Sequence, residues 1–158
     1  LQFAKAAGAK VAITSSSDRK LARARALGAD ITVNYRTHPD WAEAVRAQLN
    51  GDGIDIFVDV AGSSEVDAGA SLLRAGGAIA GIGFLDKAFS WDRKDIGGFP
   101  LHSINVGNRI EHEAMLTFCA AHRLRPVVDV VYDLNRIQDA LRLLQSGQFF
   151  GKIGINLL

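Results

Sequence analysis

"AKVAITSSSDRKLARARALGADITVNY", Ala9 to Tyr35, decides the fold. "KVAITS" is a short, nearly continuous apolar run, the pattern of a strand covered on both faces. It ends in the first of three serines, Ser15 to Ser17, which lead to Asp18. A side-chain oxygen of Ser17 or Asp18 can accept from the free amides that open a helix. "RKLARARALG" carries that helix to Gly28, and glycine tolerates the left-handed backbone that helix ends often need. "DITVNY" is a second strand. The stretch therefore predicts one strand–helix–strand unit of a parallel sheet.

The same alternation runs outward in both directions. "LQFAKAAG" is the tail of a helix closed by Gly8. "THPDWAEAVRAQLNG" is a helix with Pro39 near its first turn, where a missing N–H costs nothing. "GIDIFVDVAG" is a strand buried on both faces. "SSEVDAGASLLRAGG" reads as a helix stopped by Gly76-Gly77, and "AIAGIGF" as another buried strand. Leu85 to Pro100 has no period and reads as a loop. "LHSINVG" is a strand, "RIEHEAMLTFCAAHRL" an amphipathic helix and "RPVVDVVYDL" an extended segment. "NRIQDALRLLQSGQ" is a helix stopped at Gly147, and "FFGKIGINLL" a closing strand. No repeat, low-complexity tract or linker interrupts the series, so 158 residues predict one α/β domain.

Composition excludes several classes. The formal charge is +1, which gives no basic field for nucleic acid. No apolar run approaches the ~18 residues of a membrane span, and no leader pattern is evident. The single cysteine, Cys119, has no partner for an internal disulfide and is expected to be a small buried hydrophobe. A cytoplasmic location is expected.

Repeated strand–helix–strand units place helices on both faces of a mainly parallel sheet, and such sheets bind ligands beyond the carboxyl ends of their strands. The strands here end in small or polar residues: Ser15 to Ser17, Tyr35, Ala61-Gly62, Gly81 to Phe84, and Val106 to Asn108. Small residues there let a flat ligand approach the backbone.

Taken together, "LQFAKAAGAKVAITSSSDRKLARARALGADITVNY", "DIFVDVAG", "GGAIAGIGF", "INVGNR", "LRPVVDVVYDLNRIQDALRLLQSG" and "FFGKIGI" resemble the nucleotide-binding half of medium-chain dehydrogenases/reductases. That superfamily holds zinc alcohol dehydrogenases and zinc-free quinone oxidoreductases. Each motif alone is weak, but in this order and spacing they cover essentially the whole chain. The resemblance implies a doubly wound, mainly parallel (Rossmann-type) sheet over residues 1–158. It also implies that the family's first strand, its glycine-rich turn and an upstream catalytic domain lie outside these residues. The chain is thus expected to be the C-terminal part of a longer reductase. In the usual order 3-2-1-4-5-6 the lost strand is central. Each unmade backbone hydrogen bond at a buried edge costs about 1–3 kcal/mol. A repaired sheet is therefore expected, with the gap filled by another strand or by rearranged packing.

The resemblance also assigns residues. NADP-binding members use hydroxyls after the second strand, a lysine and then a tyrosine, which here are Ser16, Ser17, Lys20 and Tyr35. Hydroxyls and an ammonium group suit a 2′-phosphate. No acidic residue ends "VAITS" to select the free ribose hydroxyls of NAD. Asp18 could repel a phosphate, but it is placed to cap the helix. Ala61 and Gly62 would lie near the adenine ribose. Backbone groups of Ile82, Gly83 and Phe84, and of Asn105, Val106 and Gly107, would flank the nicotinamide, and Lys152 matches a basic residue near the cofactor. No catalytic acid is evident, and Asp59 is expected to order its turn. Zinc members carry their metal ligands upstream, so zinc is not expected here. His38, His102, His112 and His122 show no ligand spacing with Cys119.

The implied function is the NADP(H)-holding part of an oxidoreductase. Its substrate would be a small carbonyl, alcohol, quinone or enone, and the chain alone would turn over little. "LHSINVG" is expected to pair with its twin in a homodimer. A non-catalytic nucleotide-binding or dimerisation module is the alternative. A methyltransferase of doubly wound fold is disfavoured by the serine turn and the "GKIGI" strand.

Overall fold

Gly8, at φ +83°, ends the first helix, α1 (Gln2–Ala6), as its position predicts. The chain then enters β1 (Ala12–Ser15), crosses through α2 (Asp18–Ala26) and returns as β2 (Ile31–Asn34). β1 and β2 are parallel, with Ala12 opposite Ile31 and Ser15 opposite Asn34. A computed structural model of the chain describes residues 1–60, 66–83 and 95–157. They fall into two units, Leu1–Arg109 and Ile110–Leu158.

The βαβ unit is closed at its base by Asp30. Its Oδ2 accepts from Lys5 Nζ at 2.8 Å and from the amide of Val11 at 2.7 Å. The bond from Lys5, then that from Val11, hold the Asp30 carboxyl below its ordinary value of 3.8. A depressed carboxyl pKa stabilises the fold fully above the unfolded value, and that contribution is lost as pH falls through the folded one. Asp30→Asn should therefore lower the urea midpoint at pH 6, and the difference from the parent should shrink below pH 3.8. A difference independent of pH would refute this account.

α3 (Trp41–Arg46) is capped by Asp40, whose side chain accepts from the amide of Glu43 at 3.1 Å. Pro39 stands just before that cap. β3 (Ile54–Asp59), α4 (Val66–Ala70), β4 (Leu73–Gly81), β5 (Asp95–Ile96) and β6 (Phe99–Ser103) complete the first unit. The second sheet has the order β3-β4-β6-β5, parallel except for β5 with β6. Its core joins Val66, Ala70, Leu73, Ile79, Ile96 and Leu101. A second cluster packs Ala42 and Val45 of α3 on Val33 and Leu72, so α3 ties the two sheets together.

Three expectations change here. The helix expected up to Gly76-Gly77 ends at Ala70. Leu73 already pairs with Ile54, and pairing resumes at Ala78 with Ile56. The two glycines lie in the irregularity between. Gly76 has φ +80°, and a Cβ on Gly77 would press on the Asp55 and Arg74 carbonyl oxygens at 3.0 Å. The end of the expected loop is instead a hairpin, with Gly97 and Gly98 at φ +60° and +85° turning β5 into β6. Two positive φ values match the twist of a tight hairpin.

The third change is the largest. Among the described residues β1 pairs only with β2, and β3 only with β4, so β3 is not enclosed on both faces as its apolar run suggested. A cleft of about 690 Å³ lies between the carboxyl ends of β1 and β3. Ile56, Val58 and Val60 are 61%, 52% and 65% exposed. β3 is thus covered on one face only, and β1 alternates between exposed and half-buried residues. The α3 cluster carries the link that backbone pairing does not.

In the second unit, α5 (Arg109–Ala121) begins at the boundary and buries none of its residues. Cys119 on it is half-buried rather than enclosed. β7 (Val128–Asp133) and β8 (Lys152–Asn156) are parallel, joined by a 3₁₀ turn (Leu134–Arg136) and α6 (Ile137–Ser146). Gly147 ends α6 at φ +66°. Among the described residues no helix is long and apolar enough to cross a membrane.

Candidate functional site

The carboxyl ends of β1, β2 and β3 meet at the mouth of the cleft in the first unit. Ser15 ends β1 and Ser16 follows it, Lys20 stands in the first turn of α2, and Tyr35 follows β2. All four line the cleft, opposite Asp59 and Val60 at the end of β3. Trp41 and Phe57 form part of its wall, their rings stacked with centroids 6.2 Å apart.

Local sequence explains how the polar residues are presented. Ser17, not Asp18, is the N-cap of α2, its Oγ accepting from the amide of Lys20 at 3.4 Å. The Ser17 amide in turn donates to Ser15 Oγ at 3.3 Å. These bonds fold the serines into a turn that holds Lys20 beside Ser16. A hydroxyl that accepts one bond keeps its own proton for donation. Tyr35 is fixed by its amide, which donates to the Ser15 carbonyl at 3.1 Å. Asp18 takes another role, accepting from Asn34 Nδ2 at 2.8 Å.

The remaining expected positions stand elsewhere. The amides of Ile82 and Gly83 donate to the Asp59 carbonyl at 2.8 and 3.2 Å, so they continue the bonding of β4 to β3 past Gly81. The Asp59 side chain is buried. Asn105, Val106 and Gly107 are exposed beyond β6, Val106 almost fully. Lys152 opens β8 in the second unit. Ala61, Gly62 and Phe84 lie outside the described residues. The structure thus brings Ser16, Lys20 and Tyr35 to one cleft, with Ser17 capping beside it. Among the described residues of this unit, Ile82, Gly83 and Asn105 to Gly107 do not line it. Sequence reading missed Trp41 and Phe57. The only signal was an aromatic at the start of a helix, which is as often core as site.

Such a set suits an anionic, hydroxyl-rich ligand with a flat ring. Two hydroxyls and an ammonium can hold phosphate oxygens, and a phenol can cover a base. Among the described residues no three His, Cys, Asp or Glu side chains converge. His38 Nδ1 pairs with Thr37 Oγ1 at 3.0 Å, and the ring of His122 lies against that of Phe118.

The family model described as zinc-binding dehydrogenase matches residues 1–146. The chain belongs to that family. It is 33% identical to the zinc-type alcohol dehydrogenase-like protein C1773.06c of Schizosaccharomyces pombe, over 99% of this chain and 47% of that protein. Among solved structures it is similar to a putative alcohol dehydrogenase from Sinorhizobium meliloti 1021. There the TM-score is 0.85 and the identity 33%, over 99% of this chain and 46% of that one. It is also similar to an NAD-dependent alcohol dehydrogenase, with TM-score 0.81, 33% identity and the same coverage. The chain therefore spans just under half the length of these relatives.

Proposed function

We propose that this chain is the cofactor-holding part of an NADPH-dependent oxidoreductase. The hydride would pass to or from a small carbonyl, alcohol, quinone or enone. The observation that carries the reading is the joint presence of Ser16, Lys20 and Tyr35 at the carboxyl ends of parallel strands. The 2′-phosphate of the adenosine would sit against Ser16, Ser17 and Lys20, with Tyr35 beside the adenine. Ala61 and Gly62 would border the ribose. Ile82 to Phe84 and Asn105 to Gly107 would serve the nicotinamide half, and Lys152 matches a basic residue near the cofactor. The cofactor supplies the hydride chemistry, and the protein binds and orients it.

The family fold does not choose the phosphate, since a relative of the same fold is described as NAD-dependent. The turn after β1 makes the choice. Adenosine 2′,5′-bisphosphate should bind the chain about tenfold or more tightly than 5′-AMP, because the extra phosphate gains charge-assisted hydrogen bonds. Titration followed by amide chemical shifts of Ser16, Lys20 and Tyr35 measures this. Equal affinities would defeat the NADP reading. NADPH oxidation by the chain alone, with a simple quinone or aldehyde, should be slight. The chain spans only 47% of the length of such a relative. A homodimer through residues 101–107 belongs to the same reading. A monomeric mass at micromolar concentration by light scattering would count against it.

A further inference from the structure

We infer that Asn34 is a positioning residue that keeps the Asp18 carboxylate away from the phosphate pocket, and thereby sets specificity for a 2′-phosphorylated nucleotide. This rests on the function proposed above. Asp18 stands between Ser17 and Lys20 in sequence, and a carboxylate facing that pocket would oppose an incoming phosphate. Yet Asp18 does not line the cleft, whereas Ser16, Lys20 and Tyr35 do. The reason is a single carboxamide. Asn34, only 8% exposed at the end of β2, donates through Nδ2 to Asp18 Oδ1 at 2.8 Å. Its Oδ1 accepts from the amide of Arg36 at 3.0 Å, shaping the turn that follows Tyr35. The backbone carbonyl of Asn34 accepts from Thr37 Oγ1 at 3.2 Å and from the His38 amide at 2.9 Å. One side chain therefore fixes both flanks of the pocket, the acidic start of α2 and the tyrosine turn.

Only an amide has both a donor and an acceptor in this geometry. Asn34→Asp keeps an acceptor for Arg36 but loses the donor and sets two carboxylates against each other. Asp18 is then driven from β2, and the preference for adenosine 2′,5′-bisphosphate over 5′-AMP should fall about tenfold at low salt. Asp18→Asn with Asn34→Asp exchanges the partners' roles and should restore the preference. Asp18→Asn alone should leave it within about threefold, because the carboxylate it removes already faces away.

A merely structural role for Asn34 would weaken both nucleotides together, and that result would overturn the inference. So would failure of the double variant to recover, or a tenfold gain from Asp18→Asn alone. If the parent chain itself lacks a preference, the NADP reading fails instead. Should Asn34→Asp not fold, Asn34→Ser, which keeps an acceptor but cannot reach Asp18, should lower the preference in the same direction. An unchanged ratio there would equally overturn the inference.

Discussion

Lys20→Ala is expected to weaken adenosine 2′,5′-bisphosphate binding by about 10- to 100-fold, the worth of a hydrogen bond to a charged group. Binding of 5′-AMP should change by less than about threefold, because the 2′-hydroxyl offers no charge for the ammonium to meet. The Ser17 cap places the lysine. Its Oγ holds the amide of Lys20, so the lysine leaves the first helical turn at a set angle and lines the cleft with Ser16 and Tyr35. The helix N-terminus adds its own partial positive charge. Lys20→Arg should retain most of the affinity, since charge rather than ammonium shape is needed. The effect should shrink as salt is raised. Equal losses for both nucleotides in isothermal titration would show that Lys20 serves the helix rather than a phosphate.

Gly151→Ala should destabilise the second unit by about 2–4 kcal/mol, combining backbone strain with overpacking. Gly151 sits at φ +87° immediately before β8. A Cβ there would overlap the carbonyl oxygen of Val127. That same oxygen accepts from the Lys152 amide at 2.8 Å and so starts the β7–β8 pairing. A backbone atom cannot swing aside as a side chain would, so the pairing must open or shift. Gly147→Ala is the useful contrast. Its φ is +66°, but a Cβ there meets nothing within 4 Å, so about 1 kcal/mol is expected from strain alone. Urea unfolding followed by amide exchange of β7 and β8 separates the two variants. Equal losses would mean that contact with Val127 adds nothing.

Much of this was legible because it is local. Glycine at 8, 28 and 147 marks helix ends, where only the left-handed backbone is required. The serine turn announces a capped helix whatever surrounds it. The strands appear in their expected order because apolar runs of that length have few other uses. Gly76-Gly77 misled for the same reason. A glycine pair reads identically as a helix stop and as an irregular strand, and pairing with β3 decided between them. Trp41 could not be assigned from sequence, since its stacking on Phe57 depends on a residue in another strand.

The sequence by itself determined the family, the alternation of strands and helices and the residue types of the nucleotide turn. These follow from short-range propensity and from the order of motifs along the chain. Tertiary structure alone decided that α3 packs across both sheets of the first unit, and that Ser16, Lys20 and Tyr35 line one cleft. It also decided that Ser17 rather than Asp18 caps α2, and that Asp18 turns to Asn34. Residues 18 and 34 meet only when two parallel strands are in register, and no local rule reaches across that distance.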